Sequence, residues 1–225
     1  MKNRLFITGI DTDIGKSFVT AALIREAKVL KQNVMAYKPV ITGFDAAKIE
    51  KSDTGLLLRS LGLPPTPENI ERISPWRFAA PLAPSMAARQ ENRCVDFDAL
   101  TAHSRKAIDG SEDIVLIEGA GGVMVPLDER HTMLDWMAAL NIPALLVAGT
   151  YLGALSHTLT ALEVLKQRKI PVSAVIVNES KQSSVSLAAT AGELNRWTDI
   201  SIVSIGRKKS GSYPENLLAF QEFLI

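Results

Sequence analysis

The sequence predicts an α/β fold: a doubly wound, mostly parallel sheet in a single domain spanning residues 1–225. Three observations carry that prediction. Apolar runs of strand length alternate with segments of helical period, an order that places helices over both faces of a parallel sheet. Several of the runs are continuously apolar rather than alternating, as strands covered on both faces are. The first run opens into Gly9-Ile10-Asp11-Thr12-Asp13-Ile14-Gly15-Lys16-Ser17, and a helical segment follows. That is the G-x-x-x-x-G-K-[ST] phosphate loop in its strand–loop–helix setting.

The loop makes the sheet one of the P-loop NTPase type. Strands are predicted over 5–8, 34–38, 114–117, 144–148, 172–177 and 200–204. Helices are predicted between and after them, over 18–30, 54–61, 97–108, 133–140, 156–167, 185–196 and 215–223. Asp53 and Asp96 stand where helix N-caps belong. The run Leu63-Pro64-Pro65-Thr66-Pro67 reads as a rigid surface connection, and no internal repeat interrupts the order.

Composition narrows the partners. Hydrophobic residues make up 47% and charged residues 22% of the 225, an ordinary balance for a globular chain with a full core. A net charge of +1 gives no electrostatic case for binding nucleic acid or an anionic membrane surface. No run approaches the roughly 18 apolar residues of a membrane span. The N-terminus lacks the apolar stretch of about 7–15 residues that a signal peptide carries. With Cys94 the one cysteine, the expectation is a cytoplasmic protein.

In a sheet of this kind, ligands bind beyond the carboxyl ends of the strands. Within the loop, the glycines let the backbone turn around an anion, and the helix start adds N–H groups and the positive end of its dipole. Lys16 is placed to reach the β- and γ-phosphates, and the Ser17 hydroxyl to sit on Mg²⁺. After the second strand comes Lys38-Pro39-Val40. A lysine there either faces the same crevice and stabilises developing negative charge or simply ends a strand at the surface. Asp53 reads as a helix cap, a Mg²⁺ ligand, or both. Glu118 closes an apolar strand as a Walker B carboxylate does, and Gly119-Ala120-Gly121-Gly122 leaves room for a close approach. Asp128 and Asp135 read as structural. Asn178 ends a late strand with an amide that can both donate and accept, as an adenine edge requires, although a strand-ending Asn is also a common turn former.

The inner residues of the loop, with Lys38-Pro39-Val40, Ser52-Asp53, Glu118-Gly119-Ala120-Gly121-Gly122 and Asn178, together resemble the dethiobiotin synthetases from residue 4 to about 180. The resemblance implies ATP- and Mg²⁺-dependent carboxylation and cyclisation of 7,8-diaminononanoate with CO₂, through a carbamate and a carbamic-phosphoric anhydride, to dethiobiotin, ADP and phosphate. It implies Lys16 and Lys38 as catalytic residues and Ser17, Asp53 and Glu118 as the magnesium set. It extends nucleotide contacts to Asp13, Ile14, Gly15, Phe18, Gly119, Ala120, Gly121, Asn178 and Glu179, and gives Thr12 and Thr42 to the substrate. It also implies a homodimer with the active site at the interface, where the turn Thr150–His157 would hold the substrate carboxylate.

The chain departs from that family at Tyr151, where Lys is more common nearby, and at Ser156, where Asn is. It departs again at Ala83-Pro84-Ser85 and in the proline-free Ile205-Gly206-Arg207. The alternative is a ParA/MinD-like nucleotide-switch ATPase without a small-molecule substrate. Those proteins carry a signature lysine early in the loop, where this chain has Ile10, Asp11 and Thr12.

Overall fold

The computed structural model describes residues 2–181, 183–207 and 220–224. In chain order the strands are β1 (Asn3–Gly9), β2 (Val34–Tyr37), β3 (Val40–Thr42), β4 (Trp76–Phe78), β5 (Ile114–Glu118), β6 (Ala144–Ala148), β7 (Val172–Asn178) and β8 (Ile202–Ile205). The α-helices are α1 (Lys16–Val29), α2 (Asp53–Leu61), α3 (Pro67–Ile73), α4 (Pro84–Gln90), α5 (Phe97–Ile108), α6 (Met133–Leu140), α7 (Ala154–Gln167) and α8 (Leu187–Trp197). Six strands form one parallel sheet in the order β2-β5-β1-β6-β7-β8. The doubly wound sheet is therefore the fold the sequence predicts.

The burial pattern explains why the central strands read as continuous apolar runs. Every residue of β5 and of β6 is buried, whereas the edge strand β8 alternates. Phe6 on β1 meets Trp136 on α6 edge-to-face at 5.0 Å between centroids, and both are fully buried. No helix of the described residues is long and apolar enough to cross a membrane.

Register is what positions the site. β1 and β5 pair so that Ile7 faces Glu118, and β2 and β5 pair so that Tyr37 faces Ile117. One residue beyond that last pair stand Lys38 and Glu118. They share the same parity and so the same face of the sheet. The carboxyl ends of β2, β5 and β1 thus bring Lys38, Glu118 and the phosphate loop together.

Several elements differ from expectation. β3 and β4 form a separate two-stranded parallel sheet. At three residues each, they are too short to show a periodicity. A 3₁₀ segment at Ala46–Lys51 and the seven-residue helices α3 and α4 likewise have no clear sequence period. Both of these helices begin with a proline in the first turn, where its missing N–H costs nothing. Thus Pro67 starts a helix at the end of the proline-rich connection. The N-cap of α2 is Ser52, not Asp53: the Ser52 hydroxyl accepts from Gly55 N at 3.0 Å. Asp96 does cap α5, accepting from Ala99 N at 2.9 Å. Of the helix expected over 215–223, residues 215–219 lie outside the described residues, and 220–223 form a 3₁₀ turn.

His103 on α5 lies edge-on to Tyr37 and Trp76, with ring centroids 6.0 and 5.9 Å away. Burial holds its pKa below the ordinary value of 6.5. An unfolded chain therefore binds a proton at this position more readily than the folded one. Stability is expected to fall as pH drops below about 6.5, and His103→Phe is expected to flatten that decline. Urea unfolding at pH 7.5 and 5.5 checks this, and equal pH slopes for the two proteins would refute it.

Candidate active site

The phosphate loop runs from the end of β1 into α1. Asp13 has φ 57° and Gly15 has φ 96°, both left-handed, so the loop amides turn inward as an anion-binding concavity. Glycine is required at 15 twice over. The backbone there disfavours any side chain, and a Cβ would stand 2.2 Å from the Asn178 amide nitrogen. That amide instead donates to the Ile14 carbonyl at 2.8 Å, tying β7 to the loop. The N-terminus of α1 has no side-chain cap, which leaves its first amides open to a ligand. Lys16 donates to the Asp11 carbonyl at 2.7 Å, across the mouth of the loop.

Behind the loop lies a buried charge cluster. Lys38 Nζ is 2.6 Å from Glu118 Oε1, 3.2 Å from Asp53 Oδ2 and 3.3 Å from the Gly119 carbonyl. Glu118 is fully buried. Ser17 Oγ donates to Glu118 Oε1 at 2.5 Å, and Thr20 Oγ1 lies 2.7 Å from Oε2. Because Ser52 caps α2, the Asp53 carboxylate is free to turn toward Lys38.

The two lysines are in different electrostatic states. Burial pushes Lys16 down to about 8, and the charge of nearby Lys38 pushes in the same direction. Burial also works against the Lys38 charge, but Glu118 and Asp53 outweigh it and raise its pKa. Asp53 is held below the ordinary carboxylate range: burial opposes this, while the charge of the Lys38 ammonium outweighs the burial.

A cavity of about 770 Å³ opens in front of this cluster. Of the residues singled out in the sequence, Thr12, Asp13, Gly15, Lys16, Ser17, Phe18, Lys38, Thr42, Asp53, Ala120 and Gly121 line it. A neighbouring cavity of about 660 Å³ shares Thr12 and Asp13 and takes in Ile14, Asn178, Glu179 and Arg207. Glu179 accepts from the Arg207 backbone N–H at 2.8 Å, which fixes the start of the loop after β8. Lys208 and Lys209 of the basic cluster lie outside the described residues.

Two residues are placed differently from expectation. Glu118 does not line either cavity but sits beneath the first, reached through Ser17 and Lys38. Gly119 is a glycine for a core reason rather than a ligand one: a Cβ there would meet Phe6 and Met133 at 3.1 Å, and only its carbonyl faces the site, toward Lys38. Asp128 and Asp135 are structural: Asp128 is bonded to His131, and Asp135, in the first turn of α6, closes a capping box with Thr132 and pairs with Arg168 at the end of α7. Tyr151 and His157 pair with each other at 2.8 Å. Sequence reasoning missed Thr20, whose only signal is a threonine one turn after the loop lysine, and the Pro81–Pro84 wall of the cavity.

The donor set suits a Mg²⁺–nucleotide. The Ser17 hydroxyl and the Asp53 carboxylate are hard oxygen ligands, and the open amides and two ammonium groups match a polyphosphate.

Comparison with known proteins agrees with this chemistry. A family model described as an AAA domain matches residues 3–206. The chain is similar to the ATP-dependent dethiobiotin synthetase BioD of Phenylobacterium zucineum, 46% identical over 195 residues, covering 86% of this chain and 83% of that protein. It is 42% identical to the same enzyme of Caulobacter vibrioides over 220 residues, covering 96% and 99%. Among solved structures, the septum site-determining protein MinD of Pyrococcus horikoshii, complexed with Mg-ADP, aligns with a TM-score of 0.55 at 16% identity. That alignment covers 100% of this chain and 95% of MinD. A ParA family ATPase of Chlorobium tepidum gives 0.54 at 15% identity, covering 100% and 92%. Those two likenesses speak to the fold alone.

Gly15→Ala is expected to abolish ADP binding in titration calorimetry while the far-ultraviolet dichroism stays native; retained affinity would refute the packing argument. Lys38→Met leaves the Glu118 carboxylate buried without its ammonium and is expected to cost about 3–5 kcal/mol in urea unfolding. Adding Glu118→Gln should recover part of that loss, with a coupling energy above about 1 kcal/mol. Strict additivity would mean that the pair does not interact.

Proposed function

The chain belongs to the ATP-dependent dethiobiotin synthetases, and on that premise we propose that it closes the ureido ring of dethiobiotin in biotin biosynthesis. Its substrates are 7,8-diaminononanoate, CO₂ and ATP. The observation that carries the reading is the pair of buried lysines, Lys16 and Lys38, lining one cavity beside an oxygen set of Ser17 and Asp53.

The proposed course has three steps. One amine of the diamine takes up CO₂ and loses a proton to give a carbamate. A carbamate oxygen then attacks the γ-phosphorus, ADP leaves, and a carbamic-phosphoric anhydride forms. The second amine attacks the carbamate carbon and expels phosphate, closing the cyclic urea.

The carbamate and the transferring phosphoryl group are both anionic, so catalysis calls for fixed positive charge in a site shielded from water. Lys16 holds the β- and γ-phosphates, while Lys38 stabilises the carbamate and the transferring phosphoryl group. The loop amides of Asp13 to Phe18 grip the triphosphate. Thr12 and Thr42 hydrogen-bond the diamine or its carbamate. Asn178 contacts the adenine edge, with Glu179 holding the neighbouring loop. Ser17 and Asp53 would hold Mg²⁺ directly and Glu118 through the Ser17 hydroxyl, and the ion when bound supplies further positive charge against the triphosphate. Ser17 is suited to this because its proton goes to Glu118, leaving its lone pairs outward.

The site is proposed to be completed by a second copy of the chain. Supporting this, Leu152 and Met124, chain neighbours of the cavity residues Tyr151 and Val125, are exposed at 83% and 54%. A cavity of about 450 Å³ with an apolar wall formed by Val123, Met124 and Val125 also adjoins the loop at Asp11 and Thr12. The switch-ATPase alternative is not favoured, since Ile10, Asp11 and Thr12 supply no early-loop lysine.

Incubation with ATP, Mg²⁺, bicarbonate and diaminononanoate is expected to yield dethiobiotin and ADP in equal amounts. ATP turnover that ignores the diamine but responds to DNA or lipid would refute the reading. Lys38→Ala is expected to lower ring closure about 10²–10³-fold with little change in ADP affinity. Equal losses in both would assign Lys38 to nucleotide binding instead. Light scattering should give twice the chain mass of 24.4 kDa, and a monomer at working concentration would rule out the shared site.

A further inference from the structure

One buried hydroxyl beneath the cleft has no part in the chemistry above. Thr20 lies on α1, one turn after Lys16, and is 0% exposed. Its Oγ1 is 2.7 Å from Glu118 Oε2 and 3.1 Å from the Lys16 carbonyl. A hydroxyl has one proton to give. The helical carbonyl is the ordinary back-bonding partner of a threonine, but the carboxylate is closer and charged, so it takes the proton.

The consequence falls on Glu118. Its Oε1 serves Ser17 at 2.5 Å and Lys38 at 2.6 Å. The torsion that ends a glutamate side chain is soft and nearly two-fold. With nothing on Oε2, the carboxylate plane can swing and misdirect Oε1. Ser17 and Thr20 stand three residues apart on one helix face, so a single rigid element reaches both oxygens. Removing the Thr20 hydroxyl would also leave a fully buried carboxylate oxygen with one donor fewer.

We propose that Thr20 is the positioning residue for Glu118, holding the carboxylate so that Oε1 takes the Ser17 proton and keeps the Ser17 lone pairs turned toward Mg²⁺. This rests on the magnesium–nucleotide reading of the site. It adds that the alignment of the metal set is anchored from the helix side, by a residue that touches neither metal nor substrate.

The test measures ADP affinity by calorimetry with and without Mg²⁺ for wild type, Thr20→Val and Thr20→Ser, with thermal melts to verify folding. In Thr20→Val, the gain in ADP affinity that Mg²⁺ provides is expected to shrink about tenfold, with metal-free affinity held within about twofold. Thr20→Ser keeps the hydroxyl and is expected to restore the gain. In turnover, the Mg²⁺ concentration for half-maximal rate should rise in Thr20→Val more than kcat falls. If Thr20→Val does not fold, Thr20→Ala carries the same comparison. A full Mg²⁺ gain in Thr20→Val, a serine variant that fails to restore it, or a parallel loss of metal-free affinity would each overturn the positioning role. A wild-type protein with no Mg²⁺ gain at all would instead sink the metal reading on which it rests.

Discussion

The site depends on neutralising one carboxylate that water cannot reach. Glu118 ends the fully buried strand β5, and leaving an ion of its size uncompensated there would cost several kcal/mol. The fold supplies the compensation from two directions. Parallel register sets Lys38 beside it from β2, and the first turns of α1 deliver the hydroxyls of Ser17 and Thr20. Each of these groups is carried by a buried strand end or the first turns of a helix. Such anchoring is what a catalytic charge array requires, because dipoles fixed by packing need not reorganise as the reaction proceeds. The core is therefore part of the site: the buried contacts of β1 and α6 at Phe6 and Trp136 hold the strand from which the phosphate loop springs.

The helix caps show where stability has yielded to function. α2, α3, α5, α6 and α8 begin with a side chain that accepts from a first-turn amide, each such cap being worth roughly 1 kcal/mol. α1 and α7 instead begin after left-handed glycines, Gly15 and Gly153, with no side-chain cap. The first opens on the cavity beneath the phosphate loop. The second follows Tyr151 beside the neighbouring cavity, on the turn that family resemblance links to the substrate carboxylate. α4 also begins without a side-chain cap, after Ala83 and with Pro84 in its first turn. Asp13 adds a left-handed non-glycine residue to the loop, strain of a kind that persists only where surrounding contacts hold it.

Much of this was legible in the sequence because it rests on local patterns. Continuous apolar runs marked the central strands, and the spacing of Gly9, Gly15, Lys16 and Ser17 marked the loop. Lys38 and Glu118 were found by their places at strand ends. The remainder depended on what arrives from elsewhere in the chain. Ser52 and Asp53 are both good caps, so only geometry could give the cap to the serine and free the aspartate. The depth of Glu118 below the cavity follows from α1 lying over it, which no strand-end pattern encodes. Gly119 looked like part of a ligand cradle because its neighbours are, yet Phe6 and Met133 dictate it. Three-residue strands such as β3 and β4 carry no period to read.

The two lysines, alike in sequence terms, end with opposite constraints. Lys38 is enclosed by two carboxylates, and its charge is fixed more firmly than that of a lysine in water. Lys16 is equally buried, among the described residues it has only a backbone carbonyl within bonding distance, and burial together with repulsion from Lys38 leaves its charge weakly held, with a pKa of about 8. Divergence of this kind between neighbouring titratable groups separates their roles. A weakly held ammonium gains most from an arriving polyanion, since the ligand supplies the missing countercharge and lifts the pKa as it binds. A firmly held ammonium gains less on binding, but it offers the same positive charge at every stage of the cycle. The two ammonium groups are thus separated by whether a carboxylate lies within 3.2 Å of the nitrogen.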